Sequence, residues 1–298
     1  MSQPARFGNR RGLFQAYAKE PGVAIKDAAK NTAGLAELVP ALTAVSVRAA
    51  LVVRSFVGKG DVHRKRDGSP VTEADLAAEA AIRDGLARAT PGLPLVSEEQ
   101  AEGEAPHVLG RTYALVDPLD GTREFIAGSD EYAINIAIMI DGRPALGIVT
   151  APALGLIWRG IVGRGAERIG FTADGQLANP QPIHGRKPTP HDLVAVTSRS
   201  HLDPKTKAYL DALPVARMVA CGSAVKFGRI AEGSADVYAR LSPVRDWDAA
   251  AGHALVEAAG GSMRTPDGQP LRYGTAERII PRFIAFADAA DERGGPVR

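Results

Sequence analysis

Two apolar segments, AINIAIMI and PALGIVTAP, lie on either side of Asp141-Gly142 and constrain the fold more than any other feature. An Asp-Gly pair favours the tight turns that join adjacent antiparallel strands, so the segments predict a β-hairpin. Two helices are predicted before it. Apolar spacings of three and four predict an amphipathic helix over residues 35–57, and an alanine-rich helix that includes Asp75 should stop at Pro91-Gly92.

The second half of the chain alternates between strand-like and helical segments. DLVAVTS and RMVACGS have the pattern of strands, and AVKFGRIAEG and DAAAGHALVEAAGG have the pattern of helices. Such alternation is typical of an α/β lobe. We therefore expect a loosely ordered extension over residues 1–34, an α+β lobe over residues 35–155 and an α/β lobe over residues 156–298.

Composition excludes several classes of protein. Hydrophobic residues make up 45% and charged residues 23%, which is typical of a soluble globular protein. The formal net charge of +2 gives no general case for nucleic-acid binding. The most apolar stretch is interrupted by Pro40, Arg48 and Arg54, which argues against a membrane-spanning helix, and the basic N-terminus does not have the pattern of a secretory signal. We expect the cytoplasm as the location.

Five acidic side chains stand where strands end or turns begin: Glu98, Glu99, Asp117, Asp120 and Asp248. Carboxylates that gather without lysine or arginine partners repel one another, and a divalent cation relieves that repulsion. Oxygen ligands alone favour Mg²⁺, Mn²⁺ or Ca²⁺ over zinc. Taken singly, each segment has a plainer interpretation. The segment at Asp117 is consistent with a solvated Asp-Pro turn, the one at Glu98 with a charged loop and the one at Asp248 with a helix N-cap.

The segment VDPLDGTREF joins these carboxylates to a turn and a helix start. Pro118 fixes φ, and we expect a tight loop that turns the carbonyl of Leu119 towards the same point as the carboxylates. Gly121 allows a ligand to approach the backbone closely, and Thr122 adds a hydroxyl where a helix begins. Free N–H groups at such a start suit a phosphate.

Four motifs, taken in chain order, resemble the inositol monophosphatase superfamily, which consists of lithium-sensitive, magnesium-dependent phosphatases. The motifs are KRDGSPVTEAD from Lys65, SEE from Ser97, DPLDGT from Asp117 and WDAAAG from Trp247. The resemblance covers most of the chain from about residue 35 onward. It implies an α+β fold, a layered α/β/α/β/α sandwich shared with fructose-1,6-bisphosphatase.

The resemblance also implies a set of metal ligands. Glu98, Asp117 and the carbonyl of Leu119 would hold one Mg²⁺. Asp117, Asp120 and Asp248 would hold a second, so Asp117 would bridge the two. A third Mg²⁺, and Mn²⁺ as a substitute, stay open.

Catalytic roles follow from the same resemblance. Thr122 together with Asp75 would polarise the attacking water, and Glu98 counts with them as a catalytic residue. Backbone groups of Gly121 and Thr122 would hold the phosphate. Arg123, where lysine is usual, and Ala249, where threonine often follows the Trp-Asp pair, depart from the family pattern.

Three further segments, REF at Arg123, SRSH at Ser198 and GSAVK at Gly222, resemble the CysQ branch, which removes the 3′-phosphate of adenosine 3′,5′-bisphosphate in sulfate assimilation. The expected partner is therefore a small nucleotide bisphosphate. An inositol or other sugar phosphatase, and a divalent-cation-binding interaction module, are the alternatives. Peripheral membrane association and a homodimer stay open. The residues expected to face the nucleotide are Ser198, Arg199, His201, Ser223 and Lys226.

Overall fold

The computed structural model describes residues 32–59, 61–65, 68–101, 110–188 and 192–290. The extension expected over residues 1–34 lies outside the described residues except for its last three, which belong to the first helix. The helices are α1 (Thr32–Ser55), α2 (Glu73–Ala89), α3 (Glu98–Ala101), α4 (Thr122–Ile126), α5 (Pro204–Asp211), α6 (Val225–Ala231) and α7 (Asp246–Ala258). The strands are β1 (Val62–Arg64), β2 (Pro70–Thr72), β3 (Leu95–Ser97), β4 (Thr112–Asp120), β5 (Ala133–Ile140), β6 (Arg143–Ala151), β7 (Leu156–Ile161), β8 (Gly165–Gly170), β9 (Gln181–Ile183), β10 (Leu193–Ser198), β11 (Val215–Cys221), β12 (Val237–Arg240), β13 (Val244–Arg245), β14 (Ser262–Arg264), β15 (Ile279–Ile280) and β16 (Phe283–Phe286).

The larger sheet has seven strands in the order β3-β4-β5-β6-β7-β8-β9. Its centre is the predicted hairpin of β5 and β6, and the turn uses left-handed backbone at Asp141 (φ 50°) and Gly142 (φ 73°). Strands β7, β8 and β9 continue this sheet to Ile183. The change of lobe expected at residues 155–156 therefore falls inside a sheet, and the smaller sheet begins only at Leu193.

Helices α1 and α2 cover one face of the larger sheet. The alternation along β5 turns Ile134, Ile136 and Ile138 towards these helices, where they are buried. Among the described residues, Gly34–Ser55 in α1 is the one helical segment long and apolar enough to cross a membrane. However, 50% of its apolar stretch is buried inside the protein. Its buried side chains, which include Leu42 and Val53, belong to the core under the sheet.

Helices α6 and α7 pack on the other face and separate the larger sheet from the smaller one, whose strand order is β11-β10-β12-β16-β14. The close approach of α7 to β6 depends on glycine, because a Cβ at Gly147 would lie 2.1 Å from the carbonyl oxygen of Ala251 in α7. Helix α5 contacts β12 through a small apolar cluster on the outer face. The layers are thus α/β/α/β/α, which confirms the fold class predicted from the sequence.

Candidate metal centre and phosphate site

Three carboxylates from separate elements meet at the end of β3 and β4. Strands β3 and β4 are parallel, with Ser97 opposite Val116, so Glu98 emerges beside Asp117. Asp248 comes from the first turn of α7. One oxygen from each of Glu98, Asp117 and Asp248 lies within 4.8 Å of the others. Among the described residues, it is the one group of three or more acidic, histidine or cysteine side chains close enough together to hold a metal ion, and its ligand atoms are all hard oxygens.

Burial and mutual repulsion govern the charge of this cluster. Burial, followed by the charges of Glu98 and Asp120, raises the pKa of Asp117 well above its ordinary value. Burial and the charge of Asp120 do the same to the pKa of Asp248. Since a divalent cation would reverse the repulsion, the donor set fits a hard metal ion.

Asp120 lies beside the three-carboxylate group rather than within it. Its Oδ2 accepts hydrogen bonds from Ser223 Oγ (2.6 Å) and from the backbone N–H of Ala224. Ser223 adopts a left-handed backbone conformation (φ 51°), which is uncommon for a serine and often marks a functional position. Asp120 is therefore anchored to the α6 side of the site, where it also raises the pKa values of Asp117 and Asp248.

The segment around Pro118 remains part of β4, whereas the sequence led us to expect a tight loop. The ladder with β5 is irregular between Asp117 and Asp120, because proline has no N–H to donate. Leu119 donates its N–H to Asp117 Oδ1 at 3.0 Å, and its carbonyl accepts from Thr122 Oγ1 at 3.2 Å. The strand thus bends locally and still ends at the site.

Gly121 and Thr122 form the start of α4. Gly121 has a φ of 88°, which strains any other residue, and a Cβ there would also crowd Cβ of Ser223 at 3.1 Å. Thr122 Oγ1 lies 3.1 Å from Asp75 Oδ1. Asp75 is buried at the start of α2, where its Oδ2 accepts from the backbone N–H and the hydroxyl of Thr72. Burial raises the pKa of Asp75, and the hydrogen bonds from Thr72 and Thr122 oppose that shift.

A cavity of about 250 Å³ opens in front of these groups. Both carboxylates and basic side chains line it. The carboxylates are Glu98, Asp120 and Asp248, the basic side chains are Arg123, His201, Lys226 and Arg240, and the apolar residues include Phe227, Tyr238 and Phe283.

Four of the five residues expected to face a nucleotide line this cavity: Ser198, His201, Ser223 and Lys226. Arg199 is not among them. Its guanidinium pairs with Glu131, with Nε 2.7 Å from Oε2, and also donates to the carbonyl of Ala220. Arg199 therefore ties the loop before α5 to Glu131 and to the backbone of β11.

The other two basic side chains expected near the nucleotide, Lys226 and His201, are held differently. Lys226 is buried, and its Nζ donates to the carbonyl oxygens of Ser223 (2.6 Å) and Cys221 (3.3 Å). His201 Nε2 lies 3.3 Å from Arg123 Nη1. Burial, and then the charges of Arg240 and Arg123, lower the pKa of His201, so the imidazole is mainly neutral near pH 7.

Two cationic side chains, Lys65 and Arg240, lie at the site although the sequence did not identify them as part of it. Lys65 follows β1, and its Nζ lies 2.6 Å from Glu98 Oε1 and 2.9 Å from Glu99 Oε1, so these carboxylates do have a lysine partner. Burial, opposed in part by the hydrogen bond from Lys65, raises the pKa of Glu99 to about 7. Arg240 reaches the cavity from the end of β12, and no motif marked it.

Comparison with known proteins gives the same class as the fold and the site. Residues 35–291 match the model of the inositol monophosphatase family. The chain is 39% identical, over 74% of its length and 86% of the relative's, to the 3′(2′),5′-bisphosphate nucleotidase CysQ of Escherichia coli K12. A solved structure of CysQ from Bacteroides thetaiotaomicron superposes with a TM-score of 0.72 at 31% identity and covers 84% of this chain and 97% of that one. An inositol monophosphatase from Anabaena gives a TM-score of 0.70 at 24% identity over 87% and 94% of the two chains, a likeness of fold alone. The chain belongs to the inositol monophosphatase family.

Proposed function

We propose that this protein is a 3′(2′),5′-bisphosphate nucleotidase that hydrolyses the 3′-phosphate of adenosine 3′,5′-bisphosphate to AMP and phosphate. The observation that carries the proposal is that carboxylates and basic side chains line the same cavity. A substrate with two phosphates can place one at the metal centre and the other near Arg123, Lys226 and Arg240. The CysQ relatives at up to 39% identity support this substrate.

Glu98, Asp117 and the carbonyl of Leu119 would hold one Mg²⁺, and Asp117, Asp120 and Asp248 would hold a second; a third ion, or Mn²⁺ as a substitute, is compatible with the same donors. Bound ions of this kind lower the pKa of a coordinated water and stabilise negative charge on a leaving oxygen. The anchoring of Asp120 by Ser223 supports its role, because a ligand that is already oriented loses less freedom on binding.

The protein's own groups would move the proton. Thr122 Oγ1 donates to Asp75 Oδ1, so its lone pairs can accept a hydrogen bond from the attacking water. As the water loses its proton, Thr122 can take it and pass its own proton to Asp75 Oδ1. The raised pKa of Asp75 suits it to receive that proton. Backbone N–H groups of Gly121 and Thr122 would hold the phosphate oxygens, and His201 and Ser198 would lie nearer the nucleoside.

The reaction would serve sulfate assimilation in the cytoplasm and would be inhibited by Li⁺. The deciding experiment measures phosphate release from adenosine 3′,5′-bisphosphate and from inositol 1-phosphate in parallel, with Mg²⁺ and with added Li⁺. We expect kcat/KM to favour the nucleotide by at least about tenfold, since only the nucleotide carries a second phosphate for the basic side chains of the cavity. Equal or faster turnover of inositol 1-phosphate would contradict the proposal in favour of a polyol phosphatase.

A further inference from the structure

Asn135 is a polar side chain in an otherwise apolar layer of β5. Its exposed fraction is 0%, and neither Nδ2 nor Oδ1 has a hydrogen-bond partner among the described residues. More than nine in ten buried polar groups in proteins are paired, since an unpaired amide loses its contacts with water and gains nothing in return. An asparagine at this position therefore weakens the core unless it has another task.

The position of Asn135 points to that task. In the β4–β5 ladder, Asn135 lies directly opposite Asp117. Opposed residues in antiparallel strands have their side chains on the same face, with Cβ atoms about 5 Å apart. Asp117 Oδ1 accepts from the N–H of Leu119 at 3.0 Å, and a carboxylate has further lone pairs that can accept another donor. The amide of Asn135 is thus the neighbouring donor on the inner side of Asp117.

The residues around Asn135 favour a short-range polar contact. Its neighbours on the same face of β5, Ala133 and Ala137, are small and fully buried. Ala137 pairs with Gly147, where an added Cβ would lie 2.1 Å from the backbone of α7. Asn135 therefore lies in the layer between the sheet and the helix that carries Asp248, next to the carboxylate that would bridge two metal ions.

We infer that Asn135 is a positioning residue for the metal centre, whose Nδ2 donates to the Asp117 carboxylate in the metal-loaded protein and fixes its orientation. A hydrogen bond from an outer group to a metal-ligating carboxylate restricts it to the orientation that binds. An amide suits this place because it adds no charge, whereas a carboxylate would increase the repulsion in the cluster and a lysine would compete with the metal. This inference rests on the metal dependence in the proposed function.

The test replaces Asn135 by leucine, which has nearly the same size and no donor. We expect the melting temperature in EDTA to equal or exceed that of the wild type, because an unpaired amide has been removed from the core. We expect the dissociation constant for Mg²⁺, measured by calorimetric titration without substrate, to rise by about tenfold or more. Asn135→Ala is the second variant: it lowers the melting temperature through a cavity and weakens Mg²⁺ binding in the same way.

Ile136→Val is the matched control, since Ile136 is equally buried on the opposite face of the same strand. It should lower the melting temperature slightly and leave the Mg²⁺ titration unchanged. Wild-type Mg²⁺ affinity in both Asn135 variants would overturn the inference, and so would a loss confined to the melting temperature. Because binding is measured without substrate, a wild type that binds Mg²⁺ and fails to hydrolyse the nucleotide contradicts the proposed substrate and leaves this inference standing.

Discussion

The hydroxyl of Thr122 stands between two acceptors. Its Oγ1 lies 3.1 Å from Asp75 Oδ1 and 3.2 Å from the carbonyl oxygen of Leu119. A hydroxyl has one hydrogen, so it donates to one acceptor at a time and keeps its lone pairs for an incoming donor. Thr122 therefore has both the donor and the acceptor capacity that the proposed proton relay requires.

Removal of this hydroxyl should slow the reaction without removing the metal site. We expect Thr122→Ala to lower kcat by about 10²- to 10⁴-fold, the usual contribution of general acid–base catalysis. The Mg²⁺ titration should stay close to that of the wild type. Thr122→Ser is the control, because it keeps the hydroxyl, and it should retain most of the activity. If Thr122→Ala kept near-normal turnover, the relay would be wrong and a cation-binding role without Thr122 would gain support.

At the residue scale, the sequence predicted one contact between distant motifs and missed others. The pairing of Thr122 with Asp75 was expected from two motifs, and the structure has the hydrogen bond. Lys65 beside Glu98, and Arg199 turned to Glu131, were not expected. Such partners depend on how a hairpin or loop folds over the site, and residue type and spacing do not encode that orientation.

At the scale of elements, local signals predicted the strands and turns but not the extent of the sheet. The Asp141-Gly142 turn fixes one pairing through its backbone conformation, which local sequence determines. Whether β7 to β9 pair with β6 or begin a new sheet depends on registers such as Val149 with Trp158, and both arrangements suit the same alternation of residues. The expected lobe boundary near residue 155 was drawn from local pattern alone, which carries no information about pairing.

The contact between β6 and α7 allows a test of how the sheet positions Asp248. A methyl group on Gly147 would meet the Ala251 carbonyl at 2.1 Å, and a backbone atom cannot move aside without moving its helix. We expect Gly147→Ala to reduce the free energy of unfolding by roughly 2–3 kcal/mol and to weaken Mg²⁺ binding as α7 shifts. Urea unfolding and a Mg²⁺ titration measure the two effects.

Gly170→Ala provides the comparison for that prediction. Gly170 lies at the end of β8, where the nearest heavy atom to an added Cβ is 3.8 Å away, so the extra methyl group fits. Its stability and Mg²⁺ affinity should match those of the wild type within error. Equal stability of the two variants would show that the packing of α7 on the sheet does not require glycine at position 147.

At the scale of the whole molecule, the acidic side chain of Glu232 links the larger sheet to the middle helical layer. Glu232 follows α6 and accepts hydrogen bonds from Trp158 Nε1 of β7 (2.8 Å) and Arg229 Nη1 (2.8 Å). Arg168 of β8 adds an ion pair at 3.2 Å. Helix α6 also packs directly on the indole, since a Cβ on Gly228 would lie 2.5 Å from the ring of Trp158. Separation of these layers breaks the contacts made by Trp158 and Arg168 together, so they contribute to the cooperativity of global unfolding.

The contacts of Glu232 predict that the stability of the protein depends on pH. Burial opposes ionisation of Glu232, yet the hydrogen bonds from Trp158, Arg229 and Ser234 outweigh it and lower the pKa of this carboxyl below its ordinary value. A folded-state pKa below the unfolded value of 4.5 means that the stabilisation is fully present above pH 4.5 and is lost as the pH falls through the folded-state pKa. Glu232→Gln should therefore cost about 2 kcal/mol of unfolding free energy at neutral pH.

Urea unfolding of the wild type and of Glu232→Gln, followed from neutral pH down to about pH 3, measures this effect. The difference between the two proteins should shrink as the pH falls, because protonated Glu232 and glutamine are nearly equivalent. Asp141→Asn is the control: Asp141 pairs with Arg111 on the surface, where solvent screens the interaction, so its loss should change stability far less. A difference for Glu232→Gln that stayed constant with pH would mean that shape, and not the ionised carboxylate, holds the layers together.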